Sequence, residues 1–289
     1  MRGDLVAELP PLPRRPAPLS RRLAQGAEVF GALAIIFFVM FPLVWMLLGA
    51  FKNEIDIYST KLFFQATLDN FRAVFASPVL LGGRIWISAL VSFLTVAITI
   101  PLGAAAAYVL SRHRFRGRNT LFLLILITQF VPAVVVAIPF FNLFRAAHLI
   151  DTPLALVIVY LSFTLPYAIW LLRGFFDALP VEIEEASYID GCNEFQTLRF
   201  VTVPLVLPGI LVAAVFTFIS AWNEFFFALI LTRSESLTLP VAILGISGPR
   251  GPMWEQLSAA GMIVMVPILV MSFFIRKYFV EGITVGAVK

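Results

Sequence analysis

Four lysines stand at positions 52, 61, 277 and 289, and none can open a phosphate-binding loop. Such a loop needs Gly-Lys-Ser/Thr, whereas the first three lysines are followed by Asn, Leu and Tyr and Lys289 is the last residue. His113 and His148 lie too far apart for any zinc spacing, and no strained serine elbow is present. No catalytic residue, metal ligand or cofactor site is therefore expected in this chain. The chemistry that remains is polar recognition inside apolar sequence. Glu224 is the one charged residue within a long apolar run, and an ionisable group there is costly enough to count as a functional-site hypothesis. It lies 19 residues beyond Leu205, about 28 Å along a straight helix, which places it near the far interface. Trp222, Asn223 and Glu224 combine a ring, an amide and a carboxylate, a set suited to stacking on and hydrogen bonding a hydroxyl-rich solute. The competing reading is a carboxylate paired at the interface. Gln129, Tyr160, Ser162, Thr164 and Tyr167 are further polar or aromatic residues in such runs. They are candidates to line a path, against the alternative that they only pack helices.

A second set of polar residues is concentrated between Arg173 and Val203, where six acids face two arginines for a net charge of −4. Pro180 suits a first helical position, and Glu182, Glu184 and Glu185 follow where carboxylates favour the positive end of the helix dipole. Gly191 sits where a helix should end with a positive φ. A second short helix is expected from about Asn193, with Phe195, Leu198 and Val201 on one face and Pro204 closing it. This punctuation predicts two rigid helices joined by a tight turn, offered to a basic partner, in preference to a loop whose acids are merely solvated. Cys192, the only cysteine, reads as a small packing residue.

The elements that must hold these residues follow from composition. Of 289 residues, 60% are hydrophobic and 13% charged, against about 45–50% and about 25% in soluble domains. The fold class is all-α and integral to the membrane. Six runs are long enough to span it, at about 29–51, 85–110, 121–143, 152–172, 205–232 and 256–279. Residues 173–203 form the longest loop, and 1–26, rich in Pro and Arg, read as an unstructured arm before a membrane domain at 27–289. With the amino terminus inside, inner segments carry 14 Lys and Arg and outer segments 7. That bias puts both termini in the cytoplasm and makes the basic pI, near 9.5, a matter of topology and not of nucleic acid.

Glu185-Ala186-Ser187, three residues, Gly191, nine residues, then Val201-Thr202-Val203-Pro204 resembles the EAA loop of ABC importer permeases. The family pattern is E-A-A, three residues, G, nine residues, I-x-L-P. Ser187, Val201 and Val203 are small departures from it. Further segments resemble the maltose-type carbohydrate permeases, including SRHRFRGR, WLLRGFFDALPVEIEEA, Ala221-Trp222-Asn223-Glu224-Phe225 and the closing GITVGAVK. Ser88-Ala89 stands where the family often has Asn-Ser, a difference expected to bear on substrate. The resemblance implies a six-span permease subunit of a binding-protein-dependent importer of a carbohydrate or similar solute in the bacterial inner membrane. It implies a second permease, two cytoplasmic ATPases that bind the ATP and Mg, and an external solute-binding protein. Glu185, Ala186, Ser187, Asp190, Gly191 and Pro204 become the ATPase-coupling residues. A side chain at Gly191 is expected to clash with the turn or the partner. The outer segments Phe51–Arg84 and Arg233–Glu255 become contacts for the binding protein. A polyol or glycerol conjugate is the nearer alternative cargo, and a standalone secondary carrier the more distant alternative.

Overall fold

The computed structural model describes residues 19–76 and 82–287. Most of the expected arm lies outside this range. Helix α1 spans Leu19–Ala50 and so begins inside the segment read as unstructured. Its first residues, LSRRLAQ, contain no proline and are mostly good helix formers, so the arm's composition ends sooner than its charge suggests. The chain divides into one unit that ends at Leu48 and a second that begins at Gly49.

The second unit holds the remaining elements. Helix α2 spans Asp69–Ala76, α3 Gly82–Arg112, α4 Arg118–Ile127, α5 Ala133–Ala146 and α6 Pro153–Ala178. Two short helices follow, α7 at Val181–Ile189 and α8 at Glu194–Thr197. A π-helical turn at Leu198–Thr202 leads to α9 at Val203–Leu205. Then come α10 at Leu207–Trp222, α11 at Phe226–Leu231, α12 at Leu239–Ala242 and α13 at Trp254–Ala287. One two-stranded hairpin pairs Ser247–Gly248 with Gly251–Pro252.

Four of these helices are individually long and apolar enough to cross a bilayer, and six spans result if two bent pairs count as one each. The expected runs at 121–143 and 205–232 are therefore not single straight helices. The first bends by 93° between α4 and α5, across a 3₁₀ turn at Thr128–Phe130 that ends ahead of Pro132. The second stops at Trp222 and restarts at Phe226. The rise of about 28 Å assumed for Glu224 treated the run as one straight helix. Instead the chain bends by 75° at Val206, and the 16 residues of α10 supply about 24 Å.

Small residues set the closest approaches. A Cβ on Gly209 would lie 2.3 Å from the Phe175 ring, so only glycine lets the start of α10 lie on α6. Between α3 and α6, Thr99 and Thr164 share a buried hydroxyl–hydroxyl bond of 2.9 Å, the kind of polar contact that joins helices where no water competes. Apolar cores gather around this frame. One combines Phe144, Leu156, Tyr160, Phe227 and Leu231, another Val74, Phe218, Trp222, Leu239 and Ala260. A third, with Tyr108, Leu172, Phe176 and Val206, sits at the end of the bundle that carries α7 and α8. Trp86, Phe93, Val134, Val135 and Ile138 remain exposed, the exterior expected of helices solvated by lipid.

Candidate functional site

Two sites emerge, one at α7–α9 and one between the α4–α5 break and the α10–α11 interruption. The first is the predicted pair of helices. Pro180 is the N-cap residue and α7 starts one position later. The helix ends at Asp190, and Gly191 turns the chain with φ +89°. A Cβ at Gly191 would meet nothing within 4 Å. The expected clash with the turn is therefore absent, and the constraint is the left-handed backbone, which costs other residues about 1–2 kcal/mol. Asn193 then caps α8 through a reciprocal box with Gln196, at 2.9 and 2.8 Å. Pro204 does not close the second helix. It lies inside α9, and the chain bends at Val206. Phe195, Leu198 and Val201 do not form one face either, because Phe195 is exposed while Leu198 packs into the third core. The π-turn widens the helix at Leu198 and shifts the register that a 3.6-residue period assumes.

The residue that anchors this unit is Glu184, which sequence reasoning treated only as a dipole partner. It is buried, and both its carboxylate oxygens accept the Arg112 Nε at 3.0 Å. Thr202 donates a third bond to it at 3.0 Å, and another Arg112 nitrogen donates to the Leu179 carbonyl at 3.0 Å. Ser187, also buried, bonds the Glu184 carbonyl at 2.7 Å and the Thr197 hydroxyl at 2.7 Å. Arg112 ends α3. Thus α3, α7 and the π-turn close on one satisfied charge, which a buried ion pair requires. The other coupling candidates face outward: Glu185, Ala186, Asp190, Gly191 and Pro204 are exposed. Around them Ile189 is 87%, Phe195 67% and Phe200 66% exposed. A rigid base thus presents apolar residues and carboxylates together. Cys192 is half-buried in the turn, and its N–H donates to the Ser187 carbonyl at 3.0 Å.

The second site lies between the α4–α5 break and the interruption that separates α10 from α11. Glu224 turns back on the start of α11, its two oxygens accepting the N–H groups of Phe227 at 2.9 Å and Ala228 at 3.1 Å. This caps donors that a fresh helix leaves unpaired. On the other break, the Gln129 side-chain amide donates to the Phe163 carbonyl of α6 at 2.7 Å. Between the breaks is a cavity of about 260 Å³ lined by Tyr160, Phe163, Thr164, Ser220, Glu224 and Phe227, among others. Irregular backbone at membrane depth is tolerated where it lines such a space.

Of the sequence candidates, the structure brings Tyr160, Thr164 and Glu224 to this cavity and Gln129 beside it. The others lie elsewhere. Trp222 is buried, stacked on Phe218 with centroids 5.6 Å apart, and donates to the Val264 carbonyl of α13 at 3.1 Å. Tyr167 packs between Trp170 and Phe216. Ser162 bonds back to the Ile158 carbonyl of its own helix at 3.3 Å, and Asn223 is exposed in the break. Phe163, Ser220 and Phe227 were missed, since nothing in an apolar run marks which ring or hydroxyl a break will uncover.

The segments read as outer are held by specific contacts. Asp151 accepts the N–H groups of Arg233, Ser234, Glu235 and Ser236 at 2.9 to 3.0 Å. Burial opposes its charge, but these four donors prevail and hold its carboxyl well below the usual carboxylate range. Ser88 is buried and accepts the Leu239 N–H at 2.7 Å. That residue therefore caps α12 from α3. Arg250 and Glu54 pair at 3.1 Å between the 51–84 and 233–255 segments.

Comparison with known proteins agrees with this architecture. Residues 99–285 match the family described as "Binding-protein-dependent transport system inner membrane component". The chain is 38% identical to "Probable ABC transporter permease protein y4oR" of Sinorhizobium fredii, covering 88% of this chain and 92% of that one. It is 32% identical to the trehalose/maltose transport system permease protein MalG of Thermococcus litoralis, over 90% and 95% of the two chains. Among solved structures, a bacterial ABC transporter involved in the import of the acidic polysaccharide alginate superposes with a TM-score of 0.73 and 21% identity. The match covers 92% of this chain and 99% of that one. The capped helical pair, the broken spans and these matches lead to one conclusion: the chain belongs to the binding-protein-dependent transport system inner membrane components and is an ABC importer permease, a membrane-embedded transport subunit and not itself a catalyst.

Proposed function

We propose that this permease carries a carbohydrate or carbohydrate-like solute across the bacterial inner membrane by alternating access. Both termini lie in the cytoplasm, and a second permease, two ATPases holding the ATP and Mg, and an external binding protein complete the complex. The observation that carries this reading is the site at α7–α9. The EAA spacing falls on a turn that is anchored beneath and apolar above, with Gly191, Glu185 and Asp190 exposed. A passive loop has no need of a buried ion pair below it and exposed Ile189 and Phe195 above. A docking knob needs both, because force passes only through a stiff element. The carbohydrate cargo is supported by the transport activity named for the MalG relative and by the aromatic, hydroxyl-lined cavity at the broken spans. The Asp151 cradle orders the start of the second outer segment, which faces the binding protein in this reading.

Co-purification from native membranes, followed by reconstitution into vesicles, tests this. The expected result is a complex with an ATPase subunit that accumulates a neutral sugar only when ATP and the binding protein are both supplied. A stable assembly of this chain that moves solute without an ATPase subunit overturns the proposal.

A further inference from the structure

The cavity at the two breaks has an asymmetric chemistry. Its charged member is Glu224, whose oxygens each accept one backbone N–H and each keep a further lone pair. Tyr160, 2% exposed, places its hydroxyl beside the Glu224 carboxylate in the cavity lining. A phenol hydroxyl beside a carboxylate on one cavity wall offers donor and acceptor capacity together to the hydroxyls of an occupant. Ser220 adds a second hydroxyl at the rim. The walls are Phe163 and Phe227, with centroids 5.1 Å apart and planes tilted by 32°. Rings beside a few convergent polar groups are what a small-solute pocket needs, and lipid chains have no use for the polar ones.

Size and charge narrow the occupant. About 260 Å³ falls just below the roughly 300–1,000 Å³ of drug-sized pockets, so the cavity takes one ring and not an oligosaccharide. Every oxygen of Glu224 is an acceptor, so the site draws O–H donors. A carboxylate of the solute would face a carboxylate of the protein with no cation among the lining residues, and like charges in a dry site repel strongly. We propose that this cavity is a single-sugar subsite selective for neutral over acidic sugars. Glu224 accepts one sugar hydroxyl, the Tyr160 hydroxyl pairs with a neighbouring one, and Phe163 and Phe227 cover the apolar edges. This rests on the import reading above and assigns it a selectivity filter within the permease.

Saturation-transfer NMR on the detergent-solubilised complete complex, without binding protein, reads the subsite directly. Methyl glucoside is the neutral probe and methyl glucuronide the acidic one. The wild-type complex should transfer saturation to the glucoside and not to the glucuronide. Tyr160→Phe, which keeps the ring, should cut the glucoside signal at least fivefold. Glu224→Gln, which keeps an oxygen to cap α11, should admit the glucuronide. Gel filtration checks that each variant assembles. Equal signals from both probes in wild type, signal from neither, or an undiminished signal in an assembled Tyr160→Phe complex overturns the proposal. Sugar uptake by the wild-type complex is scored separately. Uptake without an NMR signal defeats the subsite alone, while absence of carbohydrate uptake defeats the import reading.

Discussion

Glu184 and its neighbour Glu185 divide the labour of the α7 turn. One side chain points into the bundle and meets Arg112 and Thr202, while the next is exposed. The Arg112 and Glu184 side chains are only 9% and 4% exposed, so removing one partner strands the other. Arg112→Met or Glu184→Met alone is expected to cost about 3–5 kcal/mol, and the apolar double replacement much less. Thermal unfolding in detergent across the four combinations checks this, and additive losses would show that the pair is not coupled. Sequence reasoning could see two acids in a row but not their orientations, because the arginine that decides them lies 72 residues upstream. The motif spacing pointed to Glu185, which is where an external partner can reach. The internal anchor became visible only when α3 and α7 were placed together.

Elements show a similar division. Each apolar run was legible because length and the absence of charge suffice to predict a span. The breaks were not, because proline is a poor guide inside membranes. Pro42, Pro101, Pro139, Pro166 and Pro267 all lie within continuous helices. Pro132, by contrast, sits at the 93° bend. The polar Asn223-Glu224 pair was the available signal for the other break, and its meaning depended on the carboxylate folding back to cap α11. Between elements, the Asp151 cradle makes a pH-dependent joint. Its folded-state pKa is depressed, so its contribution is complete above the unfolded value of about 3.9 and is lost as pH falls below it. Asp151→Asn should lower stability by about 2 kcal/mol at neutral pH, given that hydrogen bonds to a charged group contribute about 1.5–3 kcal/mol. The variant should also lose less stability than wild type on acidification from pH 5 towards pH 2. Parallel pH profiles of unfolding would contradict the assignment.

At the scale of the whole molecule, the anchored turn and the broken spans are two ends of one bundle. Arg112 links the turn to α3, Thr99 links α3 to α6, and α6 supplies Tyr160 and Thr164 to the cavity. A displacement of the turn therefore has a packed route to the cavity. Gly191 sets the geometry of that turn without filling space, since φ +89° and not a neighbouring atom restricts the position. Gly191→Val strains the backbone by about 1–2 kcal/mol, too little to unfold a membrane domain but enough to move the exposed face. The most direct test measures uptake and ATP hydrolysis together in vesicles holding the complete complex. With Gly191→Val the expected result is normal insertion, continued basal hydrolysis and solute uptake reduced at least tenfold. Uptake per ATP equal to that of the unmodified complex would contradict the claim that this turn couples the two.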